Sequence, residues 1–155
     1  MANILVVDDE DVIRYALYEV LERYGHIVTE ASDGMEALDV INRNPPPDLI
    51  LMNHQMPRLS GIDCARQLRT VHPSLKIVLM SSSFGIDDDG YLASNKHSFT
   101  DILLKPFRLR DMVSTVEYAL ERKEQEKITL FEYSNSTTTI IPRITPNLWI
   151  HPYFP

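Results

Sequence analysis

Three short apolar runs in this chain each stop at a polar residue set, and this repeat limits the possible folds more than any other feature. Ile4-Leu5-Val6-Val7 ends in Asp8-Asp9-Glu10, and Ile102-Leu103-Leu104 ends in Lys105-Pro106. Between them Leu49-Ile50-Leu51-Met52 ends in Asn53, followed by His54-Gln55-Met56-Pro57 and then Gly61. Short apolar runs separated by helix-period segments read as buried parallel strands. Ligands of such sheets collect beyond the carboxyl ends of the strands. An acid pair and a lysine gathered there would hold a divalent cation and a phosphoryl group.

The intervening segments support this reading. Ile13, Ala16, Leu17, Val20, Leu21 and Tyr24 recur at helical spacing, and Gly25 ends that helix. His26–Ala31 reads as a second strand. A short helix over Gly34–Asn42 stops before Pro45-Pro46-Pro47, which cannot continue it. Asp48–Asn53 is strand three, and Gly61–Val71 is a helix with Ile62, Ala65 and Leu68 inward. Lys76–Met80 is strand four. The polar stretch Ser81–Gly90 leads to a weak helix near Tyr91–Lys96, with Asp87-Asp88-Asp89 as its cap. Asp101–Leu104 is strand five, and Leu109, Met112, Val113, Val116 and Leu120 mark a last amphipathic helix. Five β-then-α units imply an α/β fold, a parallel sheet with helices on both faces.

At 155 residues and 44% hydrophobic content, the chain is the size of one globular domain. Its net charge of −7 argues against direct binding to nucleic-acid phosphates. No 18-residue apolar stretch is present, so no membrane span is expected. The start of the chain enters a strand without a basic leader, and Cys64 is the only cysteine. Both suit a cytoplasmic protein. The Asn135-Ser136-Thr137 sequon is therefore read as chance. Residues 1–125 form the expected domain. Residues 126–155, with four prolines beside Trp149, Tyr153 and Phe154, form an extension of different character. It reads as a flexible tail or as a docking peptide.

Taken together, these motifs resemble the receiver domain of two-component response regulators over roughly residues 3–122. The resemblance implies a flavodoxin-like doubly wound five-stranded sheet of order 2-1-3-4-5. It implies a phosphoacceptor aspartate at position 53, where this chain carries Asn53. It implies Mg²⁺ held by Asp8, Asp9, position 53 and the Gln55 carbonyl, and a phosphate-facing Lys105 joined to Pro106 by a cis peptide bond. Among Ser81, Ser82 and Ser83, spacing from Asn53 selects Ser81 as the switch hydroxyl. The strand-five switch position is Ile102, where the family usually has Tyr or Phe, so there is no large ring to swing.

Each piece has a plainer reading. Asp-Asp-Glu after a strand can simply cap a helix, and Lys-Pro can simply make a turn. Four separated elements at family spacing outweigh those readings. His26, His54, His72, His97 and His151 show no ligand spacing, and Cys64 and Met112 read as packing residues. A flavodoxin-type flavin carrier would need a phosphate-cradling loop after strand one, where Asp8-Asp9-Glu10 stands instead. An aspartyl phosphatase would need Asp-x-Asp-x-Thr there.

The expected function is thus a receiver in a phosphorelay, accepting phosphate from a histidine kinase in a form that carries aspartate at position 53. Carboxylates can attack phosphorus, whereas the neutral carboxamide of Asn53 is a poor nucleophile, so any self-phosphorylation is lost. Asn53 is then either an engineered block or the mark of a natural pseudo-receiver acting as a protein-interaction module. Mg²⁺ binding is expected to be weak. The implied partners are a histidine kinase and either a downstream protein or a second copy of the chain. Either of the last two contacts would use the face formed by the weak helix near Tyr91–Lys96, strand five and the last amphipathic helix (the family's helix 4-strand 5-helix 5 face).

Overall fold

The computed structural model describes residues 1–82 and 95–122. Five parallel strands, β1 (Asn3–Val7), β2 (Ile27–Ala31), β3 (Leu49–Asn53), β4 (Lys76–Ser81) and β5 (Asp101–Leu104), lie in the order β2-β1-β3-β4-β5. The described helices are α1 (Asp11–Arg23), α2 (Gly34–Arg43), α3 (Gly61–Val71) and α4 (Leu109–Glu121), with a 3₁₀ turn at Lys96–Ser98. The flavodoxin-like α/β architecture and strand order expected of the chain are therefore both present.

Alternation along the strands divides the core in two. Leu5, Val7, Ile50, Met52, Ile77 and Leu79 face α2 and α3, where they meet Ala37, Ile41, Ile62, Ala65 and Leu68. Ile4, Val6, Leu49, Leu51, Val78 and Met80 face the other way, toward Leu17, Leu21, Met112, Val116 and Ala119 of α1 and α4. Successive side chains of a strand point to opposite faces, so an unbroken apolar run supplies both layers at once. Full burial of each such side chain stabilises the fold by about 1.5–3 kcal/mol.

Helix ends are set by local chemistry. The Asp33 carboxylate accepts from the Met35 and Glu36 amides at 2.8 and 3.1 Å, and the Ser60 hydroxyl accepts from the Asp63 amide at 3.2 Å. Both are side-chain N-caps. Gly25, at φ 84°, turns the chain out of α1 in a conformation that side chains disfavour.

Two inward expectations fail at helix ends. Tyr24 is 59% exposed and Leu109 is 45% exposed, because each stands at an end of its helix, Tyr24 as the C-cap of α1 and Leu109 as the first residue of α4. Near the end of the expected fourth helix, Asn95 is α-helical and Lys96–Ser98 form a 3₁₀ turn. Ser83, the Asp87–Asp89 trio, most of the helix expected near Tyr91–Lys96 and the extension with Trp149 lie outside the described residues.

Candidate functional site

The site is assembled by strand register. β1 is flanked by β2 on one side and β3 on the other, so the order in which strands are added to the sheet reverses between β1 and β3, and a crevice opens beyond their carboxyl ends. Val7 pairs with Met52, so the next residues, Asp8 and Asn53, emerge side by side. Asn53 pairs with Met80, which sets Ser81 one step further on, and Ser81 pairs with Leu104, which sets Lys105 beyond it. The Lys105 amide donates to the Ser81 carbonyl at 2.8 Å, and the His54 amide to the Met80 carbonyl at 2.9 Å. The Lys105–Pro106 peptide is cis.

At the centre is the Asn53 carboxamide, which is almost wholly buried. Its Nδ2 donates to Asp9 Oδ1 at 3.0 Å and to the Gln55 carbonyl at 2.9 Å. Its Oδ1 accepts from the Lys105 ammonium at 3.0 Å. The neighbours determine this orientation. Turning the amide over would set its oxygen against two acceptors and its NH₂ against a cation.

Asp8 lies beneath it with no exposed surface. Its Oδ1 accepts the Glu10 amide at 2.9 Å, while Oδ2 has no hydrogen-bond partner among the described residues and sits 3.6 Å from the Lys105 nitrogen. Burial pushes the Asp8 carboxyl above the ordinary aspartate range. The Glu10 amide and Lys105 work against that rise, and the charges of Asp9 and Glu10 add to it.

Of the other expected residues, Ser81 is buried and its hydroxyl lies 3.0 Å from His54 Nδ1, whereas Ser82 is exposed. Ile102 is half-buried against the α2–α3 layer. Asp8, Asp9, Asn53, the Gln55 carbonyl and Lys105 are thus brought together, with Ser81 on the neighbouring strand end.

Sequence reasoning passes over two contributors. His54 has no ligand spacing, yet it meets the Ser81 hydroxyl 27 positions away. Arg58 adopts φ 63° in the loop between β3 and α3, and its Nε donates to the buried Asp33 carboxylate at 2.6 Å. That pair ties the loop carrying Gln55 to the start of α2. Burial opposes ionisation of Asp33, but hydrogen bonds from the Glu36 amide, Arg58 and the Met35 amide hold its carboxyl below the ordinary range. A positive φ at a non-glycine residue before Gly61 leaves no signal in the sequence.

Whether a divalent cation suits this donor set turns on the Asn53 amide. The buried Asp8 Oδ2, which has no hydrogen bond and meets Lys105 only at 3.6 Å, would welcome a closer positive charge. Asp9 Oδ1 and the Gln55 carbonyl, however, already converge on an N–H₂ group, and the Asn53 oxygen points to Lys105. Mg²⁺ takes oxygen ligands in near-octahedral geometry. In this arrangement the residues do not fit it. Among the described residues, no group of three or more His, Cys, Asp or Glu side chains is placed to hold a metal ion.

The response regulator receiver domain family matches residues 4–117. The response regulator MprA of Mycobacterium sp. (strain KMS) is 34% identical over 125 residues, 81% of this chain and 53% of that protein. A sensor kinase, CckA of Brucella abortus, is 32% identical over 128 residues, 79% of this chain and 13% of that protein. The chain thus spans about half the length of MprA and a smaller part of CckA. Among solved structures, a response regulator receiver domain protein from Clostridium thermocellum aligns at 27% identity with a TM-score of 0.69, covering 83% of this chain and 99% of that one. TrrA from Thermotoga maritima, solved in complex with Mg²⁺–BeF, aligns at 28% identity with a TM-score of 0.67, covering 77% and 99%. On fold, motif order and family match together, this chain belongs to the response regulator receiver domain family of two-component signalling.

Proposed function

We propose that this chain is a phosphorelay receiver that accepts phosphate from a histidine kinase when position 53 is aspartate, and whose phosphorylation step is blocked here by Asn53. The observation behind this is the Asn53 carboxamide. Phosphoryl transfer needs an oxygen nucleophile in line with phosphorus. At position 53 the only side-chain oxygen belongs to a neutral amide and is engaged by Lys105 at 3.0 Å, while Nδ2 is turned into the pocket. The surrounding groups, Asp8, Asp9, Lys105 and Ser81, are those that a form with aspartate at position 53 would use to accept phosphate from a histidine kinase.

A second reading, a natural phosphorylation-independent pseudo-receiver, is favoured by how completely the amide is satisfied. Both its nitrogen and its oxygen have partners near 3 Å. A histidine kinase and either a downstream protein or a second copy are the proposed partners. Contact with either the downstream protein or the second copy would involve β5, α4 and the segment before β5. No described helix is long and apolar enough to cross a membrane, and a cytoplasmic location is proposed with the function.

The test is intact-mass measurement after incubation with acetyl phosphate and Mg²⁺. The chain as it stands gains no phosphoryl group, and Asn53→Asp gains one. Stoichiometric phosphorylation of the unaltered chain, with peptide mapping showing an intact Asn53, overturns the proposal. An inert Asn53→Asp variant that still folds selects the pseudo-receiver reading.

A further inference from the structure

We propose that the Asn53 side chain does the work of a bound cation, so that the pocket is complete without a divalent metal and does not take one up. Asp9 Oδ1 and the Gln55 carbonyl are oxygen acceptors that converge on one point, and Asn53 Nδ2 occupies it, at 3.0 and 2.9 Å. Its two N–H bonds supply the partial positive charge that both oxygens need. The amide is bifunctional, however, and its far end meets the opposite requirement by accepting from Lys105 at 3.0 Å.

A carboxylate at this position would reverse the balance. It has no proton to donate, so three acidic groups and a carbonyl would face each other with Lys105 as the cation at hand. Like charges at this range disfavour ionisation strongly and favour an added cation. An amide removes one negative charge and adds two donors in the same volume. For Mg²⁺ to enter, the amide must turn over, which breaks both donor bonds and brings its NH₂ against the Lys105 ammonium. Asp8 still has its Oδ2 without a hydrogen bond, 3.6 Å from Lys105, but a single oxygen offers the ion too little in return.

This inference rests on the blocked-receiver reading but is tested without any phosphoryl transfer. Thermal melting of the full chain is compared in chelator and in saturating Mg²⁺, beside Asn53→Asp. The unaltered chain shows the same midpoint in both. Asn53→Asp melts lower in chelator and recovers in Mg²⁺. As an independent measurement, Mn²⁺ is titrated into the ¹⁵N-labelled unaltered chain. The Asn53 side-chain NH₂ and the Asp9 and Gln55 amide signals keep their intensity at substoichiometric ion. Selective broadening of those signals, or a Mg²⁺-dependent rise in midpoint as large as that of Asn53→Asp, overturns the inference. A chain that takes up Mn²⁺ there yet gains no phosphate overturns this inference alone. Phosphorylation at an intact Asn53 overturns the blocked-receiver reading instead.

Discussion

Lys105 reaches from the end of β5 to the end of β3, donating to Asn53 Oδ1 at 3.0 Å while standing 3.6 Å from the buried Asp8 carboxylate. One ammonium thus serves a neutral acceptor and a charged one. Lys105→Met strands both, and leaving a buried acceptor unsatisfied costs about 1–3 kcal/mol. Lys105 keeps partial access to water, which can replace some of the lost contact, so the lower end of that range is expected. Urea unfolding of the variant beside the unaltered chain checks it, and an unchanged midpoint would contradict the assignment.

Asp8 gives the opposite sign. Its Oδ2 is buried without a hydrogen-bond partner, and its ionised form is opposed by burial and by Asp9. Asp8→Asn keeps the shape, removes that charge and leaves Lys105 bonded to Asn53. In metal-free buffer at neutral pH the variant should unfold at higher urea than the parent. A clear loss of stability would show that Lys105 compensates Asp8 more fully than a 3.6 Å separation suggests.

Gly61 is held to glycine by contact rather than by dihedral freedom. A methyl group there would overlap the backbone carbonyl of Asn53 and sit 3.2 Å from Leu79 Cδ1. Gly61→Ala should therefore destabilise by about 1–3 kcal/mol, as overpacking does, even though alanine favours helices. It should also shift the backbone amide signals of Asn53 and His54, which a simple change of helix propensity would not do.

The capping carboxylate of Asp33 predicts a pH dependence. Its folded pKa lies below the ordinary aspartate value of 3.8, so the unfolded chain binds the proton more readily. Its contribution is fully present above that value and is lost as pH falls through the depressed folded value. Asp33→Ala should cost about 1–2 kcal/mol at neutral pH, typical of a lost N-cap. Its deficit should narrow in acid. Chemical unfolding at neutral pH and again near the acid limit of folding measures both. A deficit that does not change with pH would exclude ionisation as its source.

Cys64 should behave as a core atom. It is fully buried, and burial first and then the Asp33 charge push its thiol up to about 12. The native chain should resist a thiol reagent at mildly alkaline pH and react stoichiometrically in denaturant. Rapid labelling of the folded chain would disprove the placement.

The central strands are legible in the sequence because β1 and β3 each lie between two helical layers, so their apolar runs are unbroken and stop at the crevice. Position 53 can be located for the same reason. The direction of its amide cannot, since a carboxamide looks alike from either end until Asp9, Gln55 and Lys105 surround it. His54 and Ser81 are 27 positions apart, and Asp33 and Arg58 are 25 apart. Neither pair shows any periodicity, because folding brings each together only through strand pairing. Tyr24 and Leu109 show a different limit. Helical spacing identifies the stripe that packs but not which of its members fall at the exposed ends of the helix.

The alternation that splits the core into two layers has a consequence for change at the crevice. In the strands, both layers are filled by residues that precede the strand ends, and the polar groups of the crevice follow them. Exchanging an oxygen for a nitrogen at position 53 therefore leaves every core contact as it was. Such a framework can gain or lose a covalent reaction while its shape, and any partner that recognises that shape, is kept.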